Sequence, residues 1–394
     1  MSDTVLTARQ NFFSLNGKSS LDWGMVVSCE DGFDTPERDI TTDVIPGRNG
    51  VLITDNGRFE NIEIKYTCVI EENFKNAFRD FKVYVGKLIG YIRLEDSFNP
   101  DRYRMVYIRQ TKIKQLSSRY RGGEFEVTFN CMPQLFLKSG EEPLQFMLVM
   151  IDQDEIEEGG ETYIRESYQT GRYKLGTSKA YTITVHTKNG ATANLAVVGS
   201  YDDNPSPFSY FRTMDNVVDG GTMTDTITDG VTDSLEFAFF ADDNHALDDI
   251  WLEISMTILV NNVEMPINAI MAKKWTITNP TGFASKPLFE YFFVTDTAIK
   301  ITNIVDGVEE EYFNVSSTNS VVLPCVYMDC DMQYMYDKDG NNLSQTLTIT
   351  TAQDAKGRNL VFPQFGTDEI LIEMGAGSHD TLGILNIYPR WWEI

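Results

Sequence analysis

Three histidines (His186, His245 and His379) and five cysteines (at 29, 68, 131, 325 and 330) are the whole supply of near-neutral proton carriers and thiols in this chain of 394 residues. Imidazole is the side chain that titrates between pH 5 and 8, and a zinc site needs several imidazoles or thiolates at short spacing. Here the histidines lie far apart and no C-x-x-C pair occurs. A G-x-S-x-G elbow, a Gly-rich phosphate loop and a Cys-His arrangement are also missing. The scattered, odd-numbered cysteines read as reduced and mostly buried thiols rather than as a disulfide framework. ADDNHALDD (Ala241 to Asp249) gathers four Asp with Asn244 and His245, enough oxygens for a calcium ion, but it lacks the Gly and terminal Glu of an EF-hand loop. It reads as a solvated turn, and no metal is assigned. Glycoside hydrolysis needs only two carboxylates at a suitable separation in space, so a glycan hydrolase stays open as an alternative. The residues favour no enzyme and no cofactor.

Binding chemistry is better represented than catalysis. Saccharide contact needs an aromatic platform for the C–H face of a sugar, with carboxylates and amides for its hydroxyls. In IWLEISMTIL, strand alternation puts Ile250, Leu252, Ile254, Met256 and Ile258 on one face, leaving Trp251, Glu253, Ser255 and Thr257 on the other. A Trp on the polar side of an amphipathic strand is either a stacking platform beside Glu253 or a ring packed under a loop or a second layer, and both readings stand at this point. SYDDNPSPFSYF mixes Tyr201, Phe208, Tyr210 and Phe211 with Asp202, Asp203 and Asn204. Pro205 and Pro207 forbid a regular ladder there, so it reads as a rim loop that either binds ligand or is anchored by its aromatics. The candidate saccharide contacts are therefore Trp251, Glu253, Tyr201, Phe208, Tyr210, Asp202 and Asp203. His186, inside YTITVHT, reads as structural.

The elements that must hold these residues are nearly all strands. NIEIKYTCVI alternates over 61–70, with Ile62, Ile64, Tyr66, Cys68 and Ile70 on one face. The period then changes. Phe74, Ala77, Phe78, Phe81, Val85, Leu88 and Ile89 recur at helical spacing over 73–89, with Asn73 as the expected N-cap and Gly90 as the stop. Strands follow at 91–95, 103–109 and 124–131, so the first third is α+β. From residue 147 onward the pattern is strand after strand: YTITVHT, LAVVGSY, LEFAFFA and IWLEISMTIL, then WTITN, LFEYFFV, IKITNIV, EEYFNV and a long VYMDCDMQYMYD. Short strands at this spacing predict two β-sandwiches in series.

Charge separates these regions. The chain carries a formal charge of -25, which repels phosphate backbones and anionic lipid and argues against nucleic-acid binding. Residues 1–140 hold 19 basic and 19 acidic side chains, whereas 147–270 hold 6 against 21 and 271–394 hold 8 against 16. The middle segment is thus compositionally foreign to the first third and reads as a separate module. The opening residues show no signal-peptide pattern, and no apolar run approaches the eighteen residues of a membrane span. Synthesis and assembly in a cytoplasm, without membrane insertion, follow as expectations.

Several local patterns together resemble the siphophage distal tail protein family. FSLNGKSSLDWGM, the turn PGRNG (Pro46 to Gly50), NPDRYRMVYI after the helix and EFEVTFNCMPQLFLKSGE resemble its N-terminal region. ITNPTGFASKPLFEYF (Ile277 to Phe292) and YPRWWEI (Tyr388 to Ile394) resemble the two ends of its C-terminal sandwich. Ordinary members join the KSGE-like segment almost directly to the NPTGFASKP-like one, whereas here about 130 residues lie between them. The resemblance implies a homo-hexameric ring that joins tail tube protein to tail-tip or baseplate hub proteins, within a virion assembled in the host cytoplasm. It further implies an N-terminal belt domain at 1–134 and a galectin-like sandwich at 135–146 and 271–394. The departure implies a decorated member, in which a jelly-roll-like sandwich at 147–270 binds host cell-surface saccharide. Trp391 and Trp392 are expected to be buried against the C-terminal sandwich. A secreted or surface lectin is the remaining alternative, and it requires the missing signal peptide.

Overall fold

In the computed structural model the helical spacing of the first third becomes the helix Phe74–Lys87. Phe74, Phe78, Phe81 and Val85 are its buried stripe, and the rings of Phe78 and Phe81 lie 4.7 and 5.7 Å from that of Phe125 on the sheet beneath. The structure describes residues 11–29, 35–47, 49–118, 121–147, 150–158, 161–170, 172–200, 210–241, 247–260, 263–292, 297–316, 325–343, 348–351, 362–376 and 383–394. Among these the helix is the single α-helix and strands dominate, so the fold is mainly β.

Two details of the helix differ from expectation. Asn73 occupies the N-cap with φ +56° and makes no side-chain cap bond; its backbone carbonyl accepts from the amides of Asn76 and Ala77 instead. Ile89 lies beyond the last turn, where Leu88 is already extended and Gly90 turns at φ +81°, and it is 90% exposed rather than part of the apolar stripe.

The chain divides into two compact units, residues 1–140 with 391–394, and residues 141–390. The first is built on a ten-stranded sheet whose central strands are Tyr91–Asp96, Arg102–Tyr107 and Gly123–Cys131, with Ile62–Ile70 paired to the last of these. A separate two-stranded hairpin, Arg38–Val44 with Val51–Phe59, belongs to the same unit. Trp391 and Trp392 belong to this first unit: Trp392 pairs with Phe136, and the Trp391 carbonyl accepts from the Leu137 amide at 2.9 Å. Their backbone pairing is thus with the first unit, rather than with the strands of the C-terminal sandwich as expected. Arg390, in left-handed backbone at φ +55°, turns the chain out of the second unit just before them.

The second unit is organised by one nine-stranded sheet. Its strands run in the order Thr222–Thr226, Ala180–Thr187, Ile250–Val260, Val263–Met271, Leu144–Met147, Ile384–Tyr388, Leu288–Phe292, Val326–Asp329 and Tyr334–Tyr336. Instead of two sandwiches following one another, strands from both share this sheet through the parallel pairing of Phe146 with Ile270. The segments flanking the acidic stretch thus meet side by side, with Leu144 to Met147 also paired to Ile387 through Ile384.

The sheet changes its buried face along its width. One rung of directly opposed residues runs Thr184, Glu253, Ile270, Phe146, Leu385, Tyr291. Opposed side chains share a face, yet Glu253 is exposed at one end while Phe146, Leu385 and Tyr291 are buried at the other. The next rung does the reverse. Val185, Leu252, Met271, Met147 and Ile384 are fully buried in a core completed by Leu235, Phe237 and Phe239 of the six-stranded sheet, whereas Tyr327 and Tyr336 on the corresponding face at the far end are half-buried. Trp275, on the strand Lys274–Thr278 of the five-stranded sheet, meets Phe146 at 6.4 Å on the opposite side. The long strand expected over VYMDCDMQYMYD is a hairpin. Asp329 Oδ1 catches the amides of Asp331 and Met332, and Gln333 turns at φ +52°.

Candidate functional site

Alternation in Ile250–Val260 is realised as read. Ile250, Leu252, Ile254, Met256 and Ile258 are all buried, 5% exposed at most, and Trp251 and Glu253 face the other way. Register then supplies their company: His186 is paired with Trp251 and Thr184 with Glu253. The imidazole of His186 lies parallel to the indole, centroids 5.1 Å apart and planes 10° apart. Trp275 meets the same indole edge-on at 5.8 Å and 71°, and the Lys188 ammonium stands over it at 4.9 Å.

Polar groups ring this cluster. His186 Nδ1 is 3.5 Å from Asp219 Oδ1, and its Nε2 is 3.6 Å from Glu253 Oε2. Both distances exceed good hydrogen-bond length, and Nε2 is shielded from water without a hydrogen-bond partner among the described residues. Asp249 accepts from Asn189 Nδ2 at 2.8 Å. Asp248 pairs with Lys274 at 3.0 Å and with Lys273 at 3.7 Å, and Lys274 also reaches Glu373 at 3.5 Å. Together with the Trp275 edge, these ion pairs knit the cluster across two sheets of the second unit.

Of the seven residues singled out from sequence, Trp251, Glu253 and Tyr210 lie among the described residues, and these three do not form one site. Trp251 and Glu253 share a face. Tyr210 does not join them, because it is the first residue of the strand Tyr210–Val217 and is buried in the core behind the nine-stranded sheet. Its hydroxyl meets that of Tyr181 at 2.7 Å and donates to Asp225 Oδ2 at 2.6 Å. Burial, then these bonds, push the Tyr210 phenol up, while the bond from Tyr210, followed by the Thr226 amide, holds the Asp225 carboxyl below the usual carboxylate range. Tyr201, Asp202, Asp203 and Phe208 lie outside the described residues, as do 242–246 of the acidic turn and His379.

His186, Trp275 and Lys188 were not singled out from sequence as site residues. His186 occupies the same polar register as Thr182 and Thr184 in its strand, which placed it on the outer face, but its partner strand is more than sixty residues away. Four of the five thiols offer no reactive alternative. Cys68, Cys131, Cys325 and Cys330 are free and buried, and burial pushes Cys68 and Cys131 up to about 12 and Cys325 up to about 11.

No family model and no curated protein matches the chain. Among solved structures it is similar to the SPP1 Dit (gp 19.1) protein, described as a paradigm of the hub adsorption apparatus in phages infecting Gram-positive hosts. That likeness has 10% identity and a TM-score of 0.28, over 59% of this chain and 98% of that one. The phage P2 baseplate in its activated conformation is similar too, with calcium and with strontium. Each has 9% identity and a TM-score of 0.34, over 96% of this chain and 97% of that one. All of these are remote likenesses.

Proposed function

We propose that the chain is a structural subunit of a long non-contractile phage tail, a non-enzymatic ring protein that assembles as a hexamer between tail tube and tip or baseplate hub. Residues 1–134 act as the belt, with 135–140 and 391–394 paired onto it, and 141–146 with 271–390 form the galectin-like sandwich. The acidic segment 147–270 is an inserted module that contacts host-surface saccharide through Trp251 and Glu253. The residue patterns at the two ends of the chain supply the family. The observation that carries the assembly role is the hairpin of the first unit.

On that hairpin the pairings Val44 with Val51, Thr42 with Ile53 and Ile40 with Asp55 put Ile40, Val44, Val51 and Ile53 on one face. All four are exposed, Val44 by 78% and Ile53 by 60%. An amphipathic hairpin with a bare apolar face is a subunit contact in waiting. A first third with no net charge suits close packing of like copies, whereas acidic outer modules repel one another. Six copies also make weak sugar contacts effective: a millimolar site contributes only about -4 kcal/mol, but several on one particle combine through avidity.

The test is imaging and light scattering of the full chain, alone and co-expressed with a tail tube protein. Sixfold particles are expected, and Val44→Asp with Ile53→Asp should yield folded monomers with an unchanged circular dichroism spectrum. Wild-type chain that stays monomeric in both conditions refutes the ring.

A further inference from the structure

We propose that the ligand of the Trp251 cluster is an uncharged saccharide, seated in a corner formed by two indoles, Trp251 and Trp275, and that it displaces Lys188 on binding. This rests on the saccharide reading above and adds the class of sugar, a second aromatic contributed by a different sheet, and the side chain that yields.

The corner follows from the geometry. Trp251 and Trp275 stand 71° apart with centroids at 5.8 Å, and both remain partly exposed. One indole offers a face and the other a wall, which together suit the flat apolar side of a pyranose and its rim. His186 stacks parallel to Trp251 and fixes the ring in place. Hydroxyl partners stand at the same spot. The Glu253 side chain is half-exposed, with its Oε2 3.6 Å from an imidazole nitrogen that has no hydrogen-bond partner among the described residues. A sugar hydroxyl can donate to the carboxylate and engage that nitrogen, provided Glu253 shifts to uncover it.

Charge selects the class. Trp251, His186, Lys188, Asp219 and Glu253 lie in the segment 147–270, which holds 21 acidic against 6 basic residues, and Trp275 follows it directly in a region that is also net acidic. The lysines beside it, Lys273 and Lys274, are engaged with Asp248, and Lys274 also with Glu373. Asp219 and Glu253 flank the imidazole. A uronate, sulfate or phosphate group meets repulsion here, whereas a neutral hexose does not. Lys188 holds its ammonium over the indole at 4.9 Å, the place a sugar C–H face would take. An exposed cation–π contact is weak, so the side chain can swing into solvent. Binding must overcome that contact, and removing it should tighten the complex.

The experiment presents the full chain to an array of neutral glucose-, galactose- and N-acetylhexosamine-containing oligosaccharides with their sulfated, phosphorylated and uronate counterparts, then titrates the best binder calorimetrically. Wild-type protein should prefer a neutral oligosaccharide with little dependence on salt. Trp275→Ala should weaken binding about tenfold or more, and Trp275→Phe should restore part of it. Lys188→Ala should tighten it roughly two- to fivefold, the loss of one exposed cation–π contact. Thermal unfolding of each variant separates lost binding from lost fold. Preference for an anionic glycan that fades with salt and with Lys188→Ala overturns the class, and neutral-sugar binding indifferent to Trp275→Ala and Trp275→Phe overturns the corner. No glycan bound by wild type, or binding indifferent to Trp251→Ala, removes the saccharide reading itself.

Discussion

Asp329→Asn should destabilise the second unit by about 2–3 kcal/mol. Asp329 is 3% exposed, and its two carboxylate oxygens accept four bonds. The amides of Asp331 and Met332 reach Oδ1 at 3.0 Å each, and Arg390 reaches Oδ1 and Oδ2 with its two terminal nitrogens at 2.8 and 3.0 Å. Breaking a fully buried pair by removing one charge costs about 3–5 kcal/mol, but the Arg390 side chain is 31% exposed, so water covers part of the orphaned cation and the cost falls to about 2–3 kcal/mol. Arg390→Ala orphans the more deeply buried carboxylate, which keeps its two amide donors, and should cost at least as much, about 2–4 kcal/mol. Arg390→Gly should cost less than Arg390→Ala, since Gly accepts the φ of +55° without strain. Burial alone would raise the Asp329 carboxyl, but the bonds from Arg390 and the Met332 amide outweigh it and hold it below the ordinary range. A lowered folded-state pKa means that this stabilisation is complete above the unfolded value, about 3.9, and disappears as pH falls through the folded value. Urea unfolding followed by circular dichroism at pH 7 and at steps below pH 4 measures the gap between wild type and Asp329→Asn. A gap under about 0.5 kcal/mol at pH 7, or one that fails to narrow in acid, refutes the clamp.

Tyr210→Phe removes the phenol that bonds Asp225 and Tyr181 in the core of the second unit. It should lower stability by about 1–2 kcal/mol in urea while leaving adsorption of purified protein to host cells unchanged; lost adsorption with retained fold would place Tyr210 in the binding site after all. In the first unit, a Cβ on Gly123 would stand 2.5 Å from the Phe74 ring at the start of the helix. Gly123→Ala is therefore expected to cost about 1–3 kcal/mol by overpacking, read as a lowered melting temperature, and a neutral result would mean that the helix end gives way freely.

What could be read from sequence and what could not differ by the range of the interaction. The period of two in IWLEISMTIL and the period near 3.6 after Asn73 are written in neighbouring residues, so the face of Trp251 and the helical stripe Phe74, Phe78, Phe81 and Val85 were both legible. Local pattern overran its element twice, at Ile89 and through the 326–336 hairpin, because apolar and aromatic side chains keep alternating across a turn that Asp329 closes by accepting backbone amides. Tyr210 was misplaced for a related reason: a Pro-rich neighbour suggested loop, but strand pairing to Gly199 begins at that residue.

The larger omission, the shared sheet, depends on contacts between residues more than a hundred positions apart. Phe146 pairs with Ile270, and Leu144 with Ile387. These pairings also explain why an acidic stretch can be accommodated at that point of the chain. Leu144–Met147 and Val263–Met271 are adjacent and parallel, so a stretch that leaves at residue 147 and returns along 263–271 extends the sheet sideways instead of interrupting it. Once extended, the two halves bury opposite faces, and Met147 and Ile384 enter the core that contains Phe237 and Ile254. The stretch 147–270 therefore cannot loosen without exposing side chains of its host. The Trp251 cluster joins two sheets, Trp251 coming from the nine-stranded sheet whose buried face changes along its width and Trp275 from the five-stranded sheet.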